Sequence, residues 1–228
     1  VAEFTLAAII FAGKHVFRFH DLYVADRHRD RTHPMQHEAI GNYRRAVGII
    51  GASRIGRRVI ELLKPFDYQV LLFDPTIDAE QARALGTEKV ELDDLMRRSD
   101  IVSVHAPSLP STRHMIDASK LALMKNGATL INTARGALID EDALLAVLKT
   151  GRIDAVIDVT DPEIPGPESA FYDLSNVFLT PHIAGAVGLE RSHGKVPRSE
   201  IDHYPAGEQF DLHSMVSGAQ VVCKNKHC

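Results

Sequence analysis

The sequence predicts an α/β protein built on a doubly wound parallel sheet, and three features predict it. Short β-branched runs alternate with helical stretches from residue 46 to residue 182. Those runs are apolar almost throughout, as expected of strands covered by helices on both faces. A glycine turn, "GASRIG" at residues 51–56, joins the first run to the first helical stretch after it.

In chain order, "VAEFTLAAIIFAGKHVF" places Phe4, Ala7, Ala8, Phe11 and Phe17 at helical spacing, with Ile9 and Ile10 widening the apolar stripe. One helix is expected there, buried on several sides. The stretch "RFHDLYVADRHRDRTHPMQHEAIGNYRR" is dense in charge and histidine without a sustained period, so a loop with short helical turns is expected. Strands follow at "AVGII", "QVLLFD", "IVSVHA", "ATLINTA", "AVIDV" and "VFLTPH". Between them lie the helices "IGRRVIELLKPF", "DAEQARAL", "LDDLMRRS", "DASKLALM" and "DEDALLAVLKT". The segment "LERSHGKVPRSEIDHYPAGEQFDLHSMV" contains Pro197 and Pro205, which interrupt any continuous helix, so the C-terminal part is expected to be irregular and partly disordered.

Composition narrows the partners. Lys and Arg together number 26 against 30 for Asp and Glu, so nothing favours a nucleic-acid surface. The apolar run "FTLAAIIFAG" has about half the ~20 residues a membrane span needs, which points to a buried helix. Only Cys223 and Cys228 are present, so no disulfide framework is expected, and a reducing, cytoplasmic compartment fits. A small molecule is the expected partner.

In doubly wound sheets ligands sit at the carboxyl ends of the strands. That rule selects Gly51, Asp74, His105, the "NTARG" turn, Asp158 and His182. Gly51 and Gly56 supply two of the three glycines of a dinucleotide-binding turn, and Ser53 stands where the middle one belongs. A Cβ there restricts the backbone, while a hydroxyl can itself donate to a phosphate. Asp74 ends the next strand, where a carboxylate accepts from an adenosine ribose and repels a 2′-phosphate, so NAD is expected over NADP.

Arg135 follows a strand and can grip a carboxylate through two parallel hydrogen bonds; pairing with Asp140 or Glu141 is the structural alternative. His182 lies just past the last strand, where an imidazole exchanges a proton near neutral pH. Asp158 and Glu163, in and after "DVTDPEIP", are the carboxylates available to hold its tautomer. His33 and His37 stand four apart without a third ligand at convincing spacing, so no metal site is expected.

The ordered motifs "VGIIGASRIGRRV", "LLFDP", "SDIVSVHAPSLPSTRHMI", "GATLINTARGALIDEDAL" and "NVFLTPHIAG" resemble the NAD-binding domain of the D-isomer-specific 2-hydroxyacid dehydrogenases. The resemblance covers residues 1–188, and it leaves 189–228 as a segment that would return to a substrate-binding lobe. It implies a Rossmann-type domain, NAD(H) as cofactor, and reversible hydride transfer to a 2-keto or from a 2-hydroxy acid. By the same resemblance Arg135 binds the substrate carboxylate and carbonyl, His182 gives a proton to the keto oxygen, and Glu163 holds His182. Cofactor contacts fall on Gly51, Ser53, Arg54, Ile55, Gly56, Asp74, Pro75, His105, Ala106, Pro107, Thr112, Thr133, Ala134, Arg135, Asp158, His182 and Gly185. The first helix is similar to the family's dimerisation helix, so a homodimer is implied.

In the family the larger part of the substrate lobe precedes this domain, and the chain starts at "VAEF", where that lobe would already have ended. Two expectations follow: the chain binds NAD, and it turns over slowly or not at all. The alternative functions are an NAD-binding module without efficient turnover, as in corepressors resembling this family, or another Rossmann enzyme such as a methyltransferase. Neither alternative gives Arg135, Glu163 and His182 a common purpose.

Overall fold

A computed structural model describes residues 1–27 and 40–185. His33, His37, both cysteines, both prolines named above and the expected C-terminal segment lie outside the described residues. The strands are β1 (Ala46–Ile50), β2 (Gln69–Phe73), β3 (Glu88–Lys89), β4 (Ile101–Val104), β5 (Thr129–Asn132), β6 (Asp154–Ile157) and β7 (Val177–Leu179). They form a single parallel sheet in the order β3-β2-β1-β4-β5-β6-β7. The helices are α1 (Ala2–Ala12), α2 (Val16–Asp26), α3 (Arg54–Leu63), α4 (Ala79–Leu85), α5 (Leu92–Arg98), α6 (Ala118–Leu123) and α7 (Glu141–Leu148). This is the doubly wound architecture that the apolar strands call for.

Every residue of β1, β4 and β5 is buried, because alternate side chains enter different cores. Val47, Ile49, Leu72, Ile131 and Val156 meet Ala8, Ile9, Val59, Ile60 and Leu63 on one face. Ile50, Leu71, Leu130 and Ile157 meet Leu95, Met96, Leu121, Leu144 and Leu148 on the other. On α3 the buried positions Gly56, Val59, Ile60 and Leu63 fall at i, i+3, i+4 and i+7, which is one helical stripe. Capping side chains start the helices at Ser53, Asp78, Asp117 and Asp140, each accepting from a first-turn amide.

The N-terminal region corrects two expectations. The predicted first helix is two helices, broken at residues 13–15 with His15 in the left-handed region at φ +48. Asn42 explains the break: its Nδ2 donates to Ile10 O at 3.2 Å, and a Cβ on Gly13 would lie 1.9 Å from its Oδ1. The expected loop after residue 17 is instead largely helical as far as Asp26. Phe17 and Phe19, two residues apart, give no helical period. Tertiary contacts supply the order, for Phe17 stacks on Phe178 with centroids 3.9 Å apart and His15 bonds Asp154 at 3.0 Å. Strand β3 was also not anticipated, being two charged or polar residues long.

Helix α1 buries Ala2, Thr5, Ala8, Ile9 and Ala12, a face turned away from the expected stripe, of which only Ala8 and Ile9 are buried while Ala7 and Phe11 are exposed. No helix among the described residues is long and apolar enough to cross a membrane.

Strand order reverses between β1 and β4, since β2 and β3 extend one way and β4 to β7 the other. The carboxyl ends of these two strands therefore open a crevice.

Candidate active site

At the crevice, Gly51 has φ +97, and a Cβ on it would lie 2.7 Å from Ala106 N and 2.9 Å from Ala106 Cα. A side chain on Gly56 would lie 2.1 Å from Gly51 O and 3.3 Å from His105 Cβ. These two glycines let the β1 turn, the start of α3 and the turn after β4 close on each other. Ser53, by contrast, has φ −62 and ψ 176, a conformation any residue adopts, so the backbone of this turn does not require glycine there. Ser53 caps α3 by accepting the Gly56 amide at 3.2 Å, which leaves its hydroxyl hydrogen to donate elsewhere. Arg54 and Ile55 form the first turn of α3, where partial positive charge favours an anion.

Asp74 closes the loop from β2. Its Oδ2 accepts the Ala52 amide at 2.7 Å, and its Oδ1 accepts the Thr76 amide at 2.8 Å and the Thr76 hydroxyl at 2.7 Å. Burial pushes this carboxyl upward, but the Thr76 and Ala52 donors and the Arg57 charge outweigh it and hold the group below its ordinary value. Asp74 is thus an anion at the end of β2, with Pro75 exposed just beyond it.

His105 and Thr112 are placed differently from simple cofactor contacts. His105 is 4% exposed and its Nε2 hydrogen-bonds Ser103 Oγ at 2.9 Å, so the ring is a packing element beneath the glycine turn. Burial pushes its pKa down to about 4. Between pH 4 and the unfolded value near 6.5 the unfolded chain holds the extra proton, so stability falls as pH drops through that window, by on the order of 3 kcal/mol. Thermal melts from pH 7 to pH 4.5 should show this loss, and His105→Gln should flatten it; an unchanged slope would refute the assignment. The Thr112 hydroxyl is occupied within its own loop, donating to Pro107 O at 2.7 Å and accepting from Leu109 N at 2.8 Å. It shapes the loop beginning at Ala106 and Pro107.

The other half of the site stands on β5, β6 and β7, which are neighbours in the sheet. Arg135 is exposed on the turn after β5, and its Nη1 donates to Ala134 O at 2.6 Å. Thr133 is buried, and its hydroxyl bonds that of Thr5 at 3.0 Å, tying α1 to the start of the turn. Asp140 accepts the Ala143 amide at 3.1 Å, and Glu141 accepts the Asp161 amide. Burial raises the Glu141 carboxyl, an effect the Asp161 amide opposes and the Asp161 and Asp142 charges reinforce.

Asp158, 1% exposed at the end of β6, spends both oxygens on the loop after β7. Oδ1 accepts the Thr180 hydroxyl at 2.6 Å and the Ile183 amide at 2.8 Å, while Oδ2 accepts the Ala184 amide at 2.9 Å. His182 sits inside this clamp at φ +53, its own amide donating to Asp158 O at 2.9 Å. Its Nδ1 hydrogen-bonds Glu163 Oε1. A carboxylate only accepts, so Nδ1 carries a proton toward Glu163 and Nε2 is the ring nitrogen that this pair leaves open. Gly185 follows at the end of the described loop, 4.0 Å from Val1 when given a Cβ.

Sequence reasoning missed Thr5, Asn132 and Gly136. Asn132 and Gly136 lie in the quoted "GATLINTARGALIDEDAL" motif, but no periodicity distinguishes them. A Cβ on Gly136 would lie 2.0 Å from Thr160 C, which is a tertiary fact. Among the described residues no group of three or more His, Cys, Asp or Glu is placed to hold a metal ion.

Residues 6–184 match the family described as D-isomer specific 2-hydroxyacid dehydrogenase, NAD binding domain. The chain belongs to that family. The 2-hydroxyacid dehydrogenase domain is 39% identical over 189 residues to a glyoxylate reductase of Aeropyrum pernix, covering 81% of this chain and 56% of that protein. It is 34% identical over 211 residues to a D-3-phosphoglycerate dehydrogenase of Methanocaldococcus jannaschii, covering 91% of this chain and 39% of that one. Among solved structures it resembles a D-lactate dehydrogenase from Treponema pallidum, with TM-score 0.71, 33% identity, and coverage of 82% of this chain and 59% of the other. The D-mandelate dehydrogenase of Rhodotorula graminis matches with TM-score 0.71 and 31% identity, over 84% of this chain and 57% of that one. The chain therefore spans about 40% to 60% of the length of these relatives. Its cofactor is NAD(H), and the tight Gly51 cradle, the α3 N-terminus and the Asp74 anion fit such a dinucleotide.

Proposed function

We propose that this chain carries the chemical half of an NAD-dependent reduction of a small 2-keto acid to a 2-hydroxy acid, run reversibly. The observation that carries this reading is the His182–Glu163 pair, held by the Asp158 clamp one strand away from the Arg135 turn. A binding module has no need of a tautomer-fixed imidazole at the same end of the sheet as an exposed arginine, two strands away.

Bound NADH supplies the hydride. The Gly51–Gly56 turn and the α3 N-terminus would hold its diphosphate, and Asp74 would accept from its adenosine ribose. The Thr133–Ala134 turn, Asp158 and the loop ending at Gly185 would receive the nicotinamide end. Arg135 takes the substrate carboxylate with parallel N–H donors, which fixes the carbonyl carbon and polarises its oxygen. In the reduction direction His182 enters as the imidazolium: its Nε2 proton passes to the keto oxygen as that becomes a hydroxyl, leaving the neutral ring with its remaining proton on Nδ1, held by Glu163.

Asp74 favours NADH over NADPH, by the charge argument above. The assembly is a homodimer in the cytoplasm, formed through the α1–α2 face where Phe11, Tyr23 and Val24 are 44%, 55% and 56% exposed. The experiment on the reaction compares glyoxylate with acetaldehyde, which lacks the carboxylate. With Arg135 in its assigned role, NADH oxidation depends on glyoxylate and is about 100-fold slower with acetaldehyde. Equal rates would contradict the carboxylate grip.

A further inference from the structure

Asn132 stands at the carboxyl end of β5 and is 1% exposed. Its side chain forms a closed hydrogen-bonded ring with the turn that follows: Nδ2 donates to Arg135 O at 3.0 Å and Oδ1 accepts the Ala134 amide at 3.1 Å. Its backbone carbonyl meanwhile accepts the Asp158 amide at 3.0 Å, which ties the same residue to the strand bearing the His182 clamp. On the far side of Arg135, Gly136 abuts the Thr160 backbone so closely that a Cβ would stand 2.2 Å from Thr160 O. Arg135 itself has extended backbone, φ −151 and ψ 142, and an exposed side chain. Its main chain is therefore fixed on both flanks by buried contacts, while its side chain is exposed and one guanidinium nitrogen donates to Ala134 O.

We infer that Asn132 is a positioning residue for Arg135, setting the backbone from which the guanidinium reaches a substrate carboxylate. The inference rests on the reading of Arg135 as the carboxylate grip. Asn132 does not touch a ligand, because it is buried and both ends of its amide are spent on the turn. A bidentate grip needs the planar guanidinium aimed correctly, so loss of the ring costs carboxylate affinity. A lysine at 135 is a point charge on a flexible stem and is far less sensitive to where its backbone is held.

The test titrates oxalate, a planar dianion shaped like a 2-keto acid, into the whole chain saturated with NADH, so that altered cofactor affinity does not enter. The wild-type chain binds oxalate, Asn132→Ala weakens that binding about tenfold, and in an Arg135→Lys background the same change costs less than about twofold. A merely structural asparagine would lose the same factor in both backgrounds, and that result would overturn the inference, as would wild-type affinity in Asn132→Ala. Arg135→Ala separates the two levels of argument. If it loses oxalate while Asn132→Ala does not, only the positioning role fails; if it binds oxalate like the wild type, or the wild type binds none, the carboxylate grip fails and Asn132 with it. Should Asn132→Ala not fold, Asn132→Asp enters the same cycle, keeping the acceptor for Ala134 and setting a carboxylate oxygen against Arg135 O.

Discussion

Replacing His182 by alanine lowers keto-acid-dependent NADH oxidation by about 10³-fold, while NADH affinity changes by less than about threefold. The size follows from the role: proton transfer by a positioned side chain contributes about 10² to 10⁴ in rate, and with the imidazole gone only water is left to protonate the keto oxygen. The loop survives the substitution because its geometry comes from Asp158, which accepts from Thr180, Ile183 and Ala184. Backbone strain is the one confounding effect, since His182 holds φ +53. His182→Asn controls for it, because asparagine tolerates that region better than alanine and still cannot exchange a proton. Both variants should be equally slow. If His182→Asn recovers most of the rate, the histidine serves the backbone and not the chemistry.

Gly136→Ala is the second large effect, acting on stability and turnover together. The added Cβ meets Thr160 C at 2.0 Å and Asp161 N at 2.4 Å, both backbone atoms with no rotamer to yield. Relief requires the Arg135 turn to part from the segment after β6, at about 1 to 3 kcal/mol or more for overpacking of this kind. That segment carries Glu163, whose carbonyl accepts the Thr160 hydroxyl at 3.0 Å, so displacement of Thr160 reaches the partner of His182. A clear drop in melting temperature and at least tenfold slower turnover are expected. Gly127→Ala is the matched control: at φ +75 with nothing within 4 Å of its Cβ, it costs about 1 kcal/mol of strain and leaves turnover alone. Equal effects of the two alanines on turnover would show that the contact at Gly136 is incidental.

The sheet was legible because β1, β4 and β5 are buried on both faces, which makes each a continuous apolar run. The strand-end rule then selected Gly51, Asp74, Arg135, Asp158 and His182 without any contact being known. Helix α2 was illegible because its order derives from Phe178 and Asp154, more than a hundred residues away. The same limit applied at Ser53. The sequence shows that a Cβ stands at the middle position, but not that the turn holds that residue at φ −62 and uses the serine as the helix cap. His105 and Thr112 lie in the right turn, yet one ring is buried against Ser103 and one hydroxyl is consumed by its own loop. Spacing reveals where a residue lies along a strand, while the direction of its side chain is decided by packing.

Deuterium transfer tests the central claim most directly. The chain is incubated with glyoxylate and NADH carrying deuterium at the transferable position of C4, and the product is examined by NMR. The proposed reaction places deuterium on C2 of glycolate, at a rate detectable even for slow turnover, and Arg135→Ala and His182→Ala abolish that signal. Glycolate without deuterium, or labelled glycolate formed equally well by both variants, would contradict the account.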